Sequence, residues 1–202
     1  MLKIIKTFGL LCAVLILALI SFSCSCGCSK NNEIVIRPDI IKNADSFIIS
    51  KTSKDFFDKY VTLDMHNSAQ NQSGYSFAYK LQIPEKPFVD GLIQFYTDTA
   101  GNALTDKSVS GLPDCVENPA ECSFAIDGVK AAEIAKAAGL EPGIKDWRKM
   151  FVWSDNFKTY TWVIISTYEK GTADSGFKEK GREVIISSSS GKVLQNKEWA
   201  IR

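Results

Sequence analysis

The sequence predicts an α+β fold made of two tandem units, each a helix packed on a three- to four-stranded antiparallel sheet. Three observations predict it. Apolar residues recur at helical spacing in two separate stretches, residues 43–60 and 128–138. Strict two-residue alternation follows each stretch, at residues 75–83 and 160–168. One layout, a helix and then an antiparallel meander, is thus written twice in a chain of 202 residues.

The elements follow in order. In residues 43–60 and just before them, Ile41, Ala44, Ile48, Thr52, Phe56 and Tyr60 fall on one helical face. Residues 62–66 read as a short strand. Tyr75, Phe77, Tyr79, Leu81 and Ile83 share one side of the next strand, which Pro84 ends. Residues 91–99 are a third strand, and Ala100-Gly101-Asn102 is the turn after it. The second unit opens at Asp127, whose carboxylate is placed to cap the helix 128–138. Ala131, Ile134, Ala135 and Ala138 give that helix its apolar face, and Gly139 stops it. Pro142-Gly143 turns the chain into a strand at 149–153. Tyr160, Trp162, Ile164 and Tyr168 share one side of the next strand, and 182–188 is the third. Ser190-Gly191-Lys192 is its turn, with Val193-Leu194 beyond. Residues 95–104 align with 185–194 without a gap, and 75–78 with 160–163.

The residues of the second unit resemble a PepSY domain. The resemblance is carried by the helix 131–138, the strand 160–166 and the run Glu183-Val184-Ile185-Ile186-Ser187-Ser188-Ser189-Ser190-Gly191-Lys192-Val193-Leu194. In that family the last strand alternates apolar residues, then reads Asp-Ala, a turn Gly, a charged residue, Val and Leu. Here Ser188-Ser189 replaces Asp-Ala. The first unit is covered only through the internal repeat. The resemblance implies an extracytoplasmic, non-catalytic protein that restrains a peptidase, and related tandem folds bind and inhibit β-lactamases. It implies no catalytic residue.

The start of the chain points to the same compartment. Lys3 and Lys6 precede an unbroken apolar run at residues 8–20, and Ser21-Phe22-Ser23-Cys24 follows. A basic start, an apolar stretch and a small-residue exit are the parts of a secretory signal. Cysteine at the exit resembles the lipobox of bacterial lipoproteins, although Ser21 stands where Leu is usual and Phe22 is bulky. Residues 1–23 are therefore read as signal peptide, and Cys24 as the lipidated N-terminus of a flexible tether, 24–38. The run is shorter than the roughly 18 to 20 residues that span hydrocarbon, which disfavours an uncleaved anchor. A metal cluster of Cys24, Cys26 and Cys28 has no fourth ligand nearby. The rest divides into a first unit at 39–110, a linker loop at 111–126 and a second unit at 127–202.

Loss of the signal lowers the basic residues from 24 to 22, against 23 acidic, a net charge of −1. No basic stripe supports a nucleic-acid partner. Cys115 and Cys122 sit in a loop with two prolines, and in an oxidising compartment they are expected to form a disulfide. His66, the single histidine, has no serine or cysteine motif beside it. Asp98 and Asp155 lie near turns without calcium-loop spacing. No cofactor, metal or catalytic residue is expected. The four tryptophans, Trp147, Trp153, Trp162 and Trp199, all fall in the last third. Their size suits a core facing a helix of alanines. Trp147 and Trp199, flanked by charges, are the pair expected on a binding surface.

The sequence therefore reads as a lipid-anchored protein of the cell envelope, periplasmic or on the outer membrane. Its expected role is a protein-binding module that restrains an envelope peptidase. A structural part in an envelope assembly and an enzyme of unrecognised type are the alternatives.

Overall fold

In the computed structural model, residues 36–172 and 175–202 are described. The signal, Cys24 and most of the tether lie outside the described residues. The fold is α+β, with three α-helices and two four-stranded antiparallel sheets among the described residues.

Helix α1 (Pro38–Thr52) starts where a proline can start it, with Pro38 in the first turn and Asp39 near the positive end of the helix dipole. It buries Ile40, Ala44, Ile48 and Thr52. Ile36, which the sequence reading places in the tether, is buried in the first core. The single helix expected at 43–60 is two. Ser53, at φ 86°, ends α1, and its hydroxyl accepts from Phe56 N at 3.3 Å to cap α2 (Lys54–Tyr60). The apolar spacing runs through the break, which hid it.

The first sheet is built on β3 (Gly74–Gln82). Strand β4 (Asp90–Thr97) pairs with it along one edge. Two short strands share the other edge: β1 (Val61–Leu63) beside Tyr79 to Leu81, and β2 (Ala69–Asn71) beside Gly74 to Ser76. Asp64 organises the turn between them. Its carboxylate accepts from the Asn67 side chain at 2.9 Å and from the backbone of His66 and Asn67. Tyr75, Phe77, Tyr79 and Leu81 point into the core, as their alternation predicts, and meet Ile93 and Phe95 of β4 and the apolar face of α1. Each such side chain stabilises the fold by about 1.5–3 kcal/mol when fully buried.

The second sheet is a meander of β5 (Arg148–Ser154), β6 (Thr159–Lys170), β7 (Glu179–Ser187) and β8 (Val193–Ile201). Helix α3 (Gly128–Ala137) is capped by Asp127, whose Oδ1 accepts from Val129 N and Lys130 N. Its buried Ala131 and Ala135 lie against Trp162, Ile164, Val184 and Ile186. The small helix residues make room for Trp162, whose ring lies directly under Gly128. The two cores meet: Phe151 and Tyr160 of the second sheet stack at 5.2 Å and pack against Phe88 and Phe124 from the connections. The described residues form a single compact unit.

The two turns that the sequence alignment pairs each hold a glycine. Gly101 and Gly191 both take positive φ, 85° and 71°, a conformation that costs glycine nothing. The loops close differently: Asp98 N donates to Asn102 O four residues on, whereas Ser187 N donates to Lys192 O five residues on. The gapless alignment of the preceding strands is one residue out. Phe95 faces the core opposite Phe77, whereas its aligned partner Ile185 faces away, and Ile186 lies opposite Trp162. A one-residue slip moves every side chain to the other face of a sheet.

Cys115 and Cys122 stand at disulfide distance, with Cα atoms 5.5 Å apart. Cys115 N and Val116 N donate to Lys51 O at the end of α1, and Lys51 Nζ pairs with Asp114 at 2.6 Å. On its far side Glu121 accepts from Thr159, the first residue of β6, and from Ser189 in the turn after β7. The loop thus braces α1 against the second sheet.

Candidate functional site

Antiparallel partners point to the same side of a sheet, so the register of the second sheet defines its two faces. One carries Phe151, Trp162, Ile164, Val184 and Ile186 against α3 and the inter-sheet aromatics. The other carries rows that run across the strands. Val152 aligns with Thr161 and Ser187; Met150 with Val163, Ile185 and Gln195; Arg148 with Ile165, Glu183 and Lys197. Thr167, Gly181 and Trp199 make a fourth row. Met150, Val152, Val163, Ile165, Ile185 and Trp199 join neither core. Val152 is 39% exposed and the others are partly exposed. Thr161, Thr167 and Ser187 in the same rows are buried, so the accessible part of the face is the apolar set itself, rimmed by charge.

The charges on this face are partly matched. Lys197 Nζ pairs with Glu183 at 3.0 Å across β7 and β8, and Lys145 pairs with Glu179 at 2.9 Å. The Arg148 guanidinium has no carboxylate partner among the described residues. It borders a groove of about 300 Å³ with Ile165, Glu183 and Trp199. Trp199 Nε1 is buried and has no hydrogen-bond acceptor among the described residues.

The structure does not bring the two surface tryptophans together. Trp199 lies on the open face. Trp147, just before β5, packs at the edge of the second core and donates its Nε1 to Glu141 O at 3.1 Å. It lines a different groove, of about 1010 Å³, with Leu140, Ile144 and Lys136 beneath the end of α3. Trp162 is buried, and Trp153 packs on Tyr160 at 5.2 Å. Sequence reasoning weighed the tryptophans by their neighbours' charge and missed the open face. The signal was there: Met150, Val152, Val163, Ile165 and Ile185 are apolar residues at the positions that alternate with the core ones.

His66 is exposed in the Asp64 turn, three residues past the end of β1, with its backbone N held by Asp64 Oδ1 at 3.2 Å. Among the described residues, no three His, Cys, Asp or Glu side chains converge to hold a metal. No described helix is long and apolar enough to cross a membrane.

The largest pKa effects fall on two buried phenols, Tyr79 in the first sheet and Tyr160 in the second, both raised by burial. Burial pushes the Tyr79 phenol well above its ordinary range, and it donates to Asp45 at 2.8 Å. Burial also raises the Asp45 carboxyl, against the pull of that hydrogen bond. Hydrogen bonding from Lys51 holds Asp114 below the usual carboxylate range. These groups lie in the scaffold, and none of their side chains is on the open face.

The chain matches no protein-family model, no curated protein and no solved structure. The PepSY resemblance therefore rests on the quoted residues.

Proposed function

We propose that this protein is an extracytoplasmic, lipid-anchored, non-catalytic module that binds another protein through the open face of its second sheet. The observation that carries this reading is the apolar surface of Met150, Val152, Val163, Ile165, Ile185 and Trp199, which belongs to neither core. Burying it against a partner removes apolar area from water without disturbing the fold. The export signal and Cys24 support placement at a membrane surface outside the cytoplasm. The PepSY resemblance of residues 131–138, 160–166 and 183–194 supports an envelope peptidase as the restrained partner.

The test is affinity capture of the lipidated protein from its native envelope after mild crosslinking, with partners identified by mass spectrometry. A stoichiometric peptidase crosslinked to β5–β8 is the expected result. Capture of envelope assembly proteins alone would replace restraint with a structural role. Crosslinks that avoid the second sheet would overturn the docking face.

A further inference from the structure

The geometry points to β5 as an acceptor edge: an extended segment of the partner adds antiparallel to it, with an acidic residue opposite Arg148 and apolar residues opposite Met150 and Val152. The inference rests on the protein-binding reading and names its recognition element.

The second sheet has two terminal strands, β5 and β8, and neither has a further strand beside it. They are finished differently. Natural edges are blunted by charged residues that make pairing with another chain costly. Strand β8 carries Lys197 and Glu198 at its middle, both exposed, each tied to β7 by an ion pair. Strand β5 keeps its charges, Arg148 and Lys149, at one end and continues as Met150-Phe151-Val152-Trp153. That run has high strand propensity and no proline. Beyond its ladder to β6, the β5 backbone makes one further hydrogen bond among the described residues, Val152 O accepting from Thr161 Oγ1 of β6 itself at 3.2 Å. Its outward N–H and C=O groups are therefore available to a partner backbone.

The rows of the open face define what the added strand carries. In the Arg148 row the charges run Lys197, Glu183, then Ile165, then Arg148. The cation at the end has a carboxylate neighbour on neither side of its row. A carboxylate on the next strand completes the row, because directly opposed side chains lie about 5 Å apart. The Met150 row, with Val163 and Ile185, ends in apolar surface, as does the Val152 row. Read along an antiparallel partner, the pattern is apolar–x–apolar–x–acidic.

The test uses the mature protein in detergent and a synthetic peptide containing Val-Thr-Val-Thr-Glu, flanked by threonines. A second peptide ends the same motif in Lys. Binding is read by fluorescence anisotropy to about 1 mM peptide, and amide hydrogen exchange is compared in residues 148–154 and 193–201. The Glu peptide is expected to protect 148–154 and leave 193–201 unchanged. Arg148→Glu is expected to weaken the Glu peptide by about fivefold or more and to favour the Lys peptide. Val152→Lys, at an exposed position, places a charge on the edge and is expected to weaken both. Protection at 193–201 instead, or affinity indifferent to Arg148→Glu, overturns the acceptor edge. Absence of peptide binding also overturns it. In each of these cases a captured envelope protein crosslinked to the open face leaves the protein-binding reading standing, so the two failures are told apart.

Discussion

The Tyr160 hydroxyl, in the second sheet, donates to the Gly111 carbonyl at 2.9 Å across 49 residues of chain. Both groups are buried, and the tyrosine belongs to the core of the first sheet although it is placed by the second. One side chain therefore ties together what the sequence presents as separate units.

Tyr160→Phe leaves the Gly111 carbonyl buried without its donor and is expected to cost about 1–3 kcal/mol. The ring stays, so its stacking on Phe151 survives. A urea titration should show a lower midpoint with an unchanged slope. Gly91→Ala is expected to cost more, since its methyl would run into the same hydroxyl and push the ring from its place. Equal unfolding midpoints for Tyr160→Phe and the natural protein would show that this bond does not join the units.

The Cys115–Cys122 link closes a short loop. Reduction, or Cys115→Ser with Cys122→Ser, is expected to lower stability by about 2–3 kcal/mol through the freedom returned to the unfolded chain. The brace also holds through Lys51 O and Glu121, so the native contacts remain. Thermal unfolding with and without reductant measures the difference. No shift would mean that the loop's hydrogen bonds alone fix it.

Acid should act on the brace and turns before the cores. Hydrogen bonding from Asn67 lowers the Asp64 carboxyl, that from Asn102 lowers Asp98, and that from Lys51 lowers Asp114. A carboxyl depressed in the folded state stabilises above its unfolded value, about 3.9 for Asp, and loses that contribution as pH falls through the folded value. Asp45 has the opposite sign. Burial raises it, so its ionised form opposes folding near neutrality, and protonation relieves this as pH falls through the raised folded value. Melting temperatures between pH 2 and 7 should therefore fall at the acid end. Asp114→Asn should flatten that fall and lower stability at pH 7. Asp45→Asn should be at least as stable as the natural protein at pH 7. A destabilised Asp45→Asn at neutral pH would reverse the sign argued for that site.

The sequence made the central strands legible because their alternation is strict, and the residues predicted inward on β3 are inward. Asp127 and the alanines of α3 were legible for the same reason: a cap and a face are local properties. Strand β2 was not, because Ala69-Gln70-Asn71 has neither apolar content nor alternation and is a strand only because β3 offers it an edge. Strand β8 was reduced to Val193-Leu194 since its later residues are charged; cross-strand ion pairs hold them in register instead. The open face escaped notice because alternation was used to find the core, and the apolar residues in the other phase were left without a role. The gapless alignment of 95–104 with 185–194 paired two glycine turns and misaligned the strands leading into them. A bulge between Ile185 and Ile186 in the pairing with β8 lets the second turn close one residue differently.

The two surface tryptophans should separate binding from stability. Trp147 touches the second core and spends its N–H on Glu141, so Trp147→Ala removes packing and a hydrogen bond together, at an expected cost of about 2–3 kcal/mol. Trp199 stands on the open face outside both cores, and its N–H has no acceptor to lose among the described residues. Trp199→Ala is expected to change stability by about 1 kcal/mol or less and to weaken partner capture. Chemical denaturation and crosslinked capture, run on both variants, measure the two effects independently. If Trp147→Ala weakens capture while remaining folded and Trp199→Ala does not, the binding surface lies on the helix side, in the groove beneath α3.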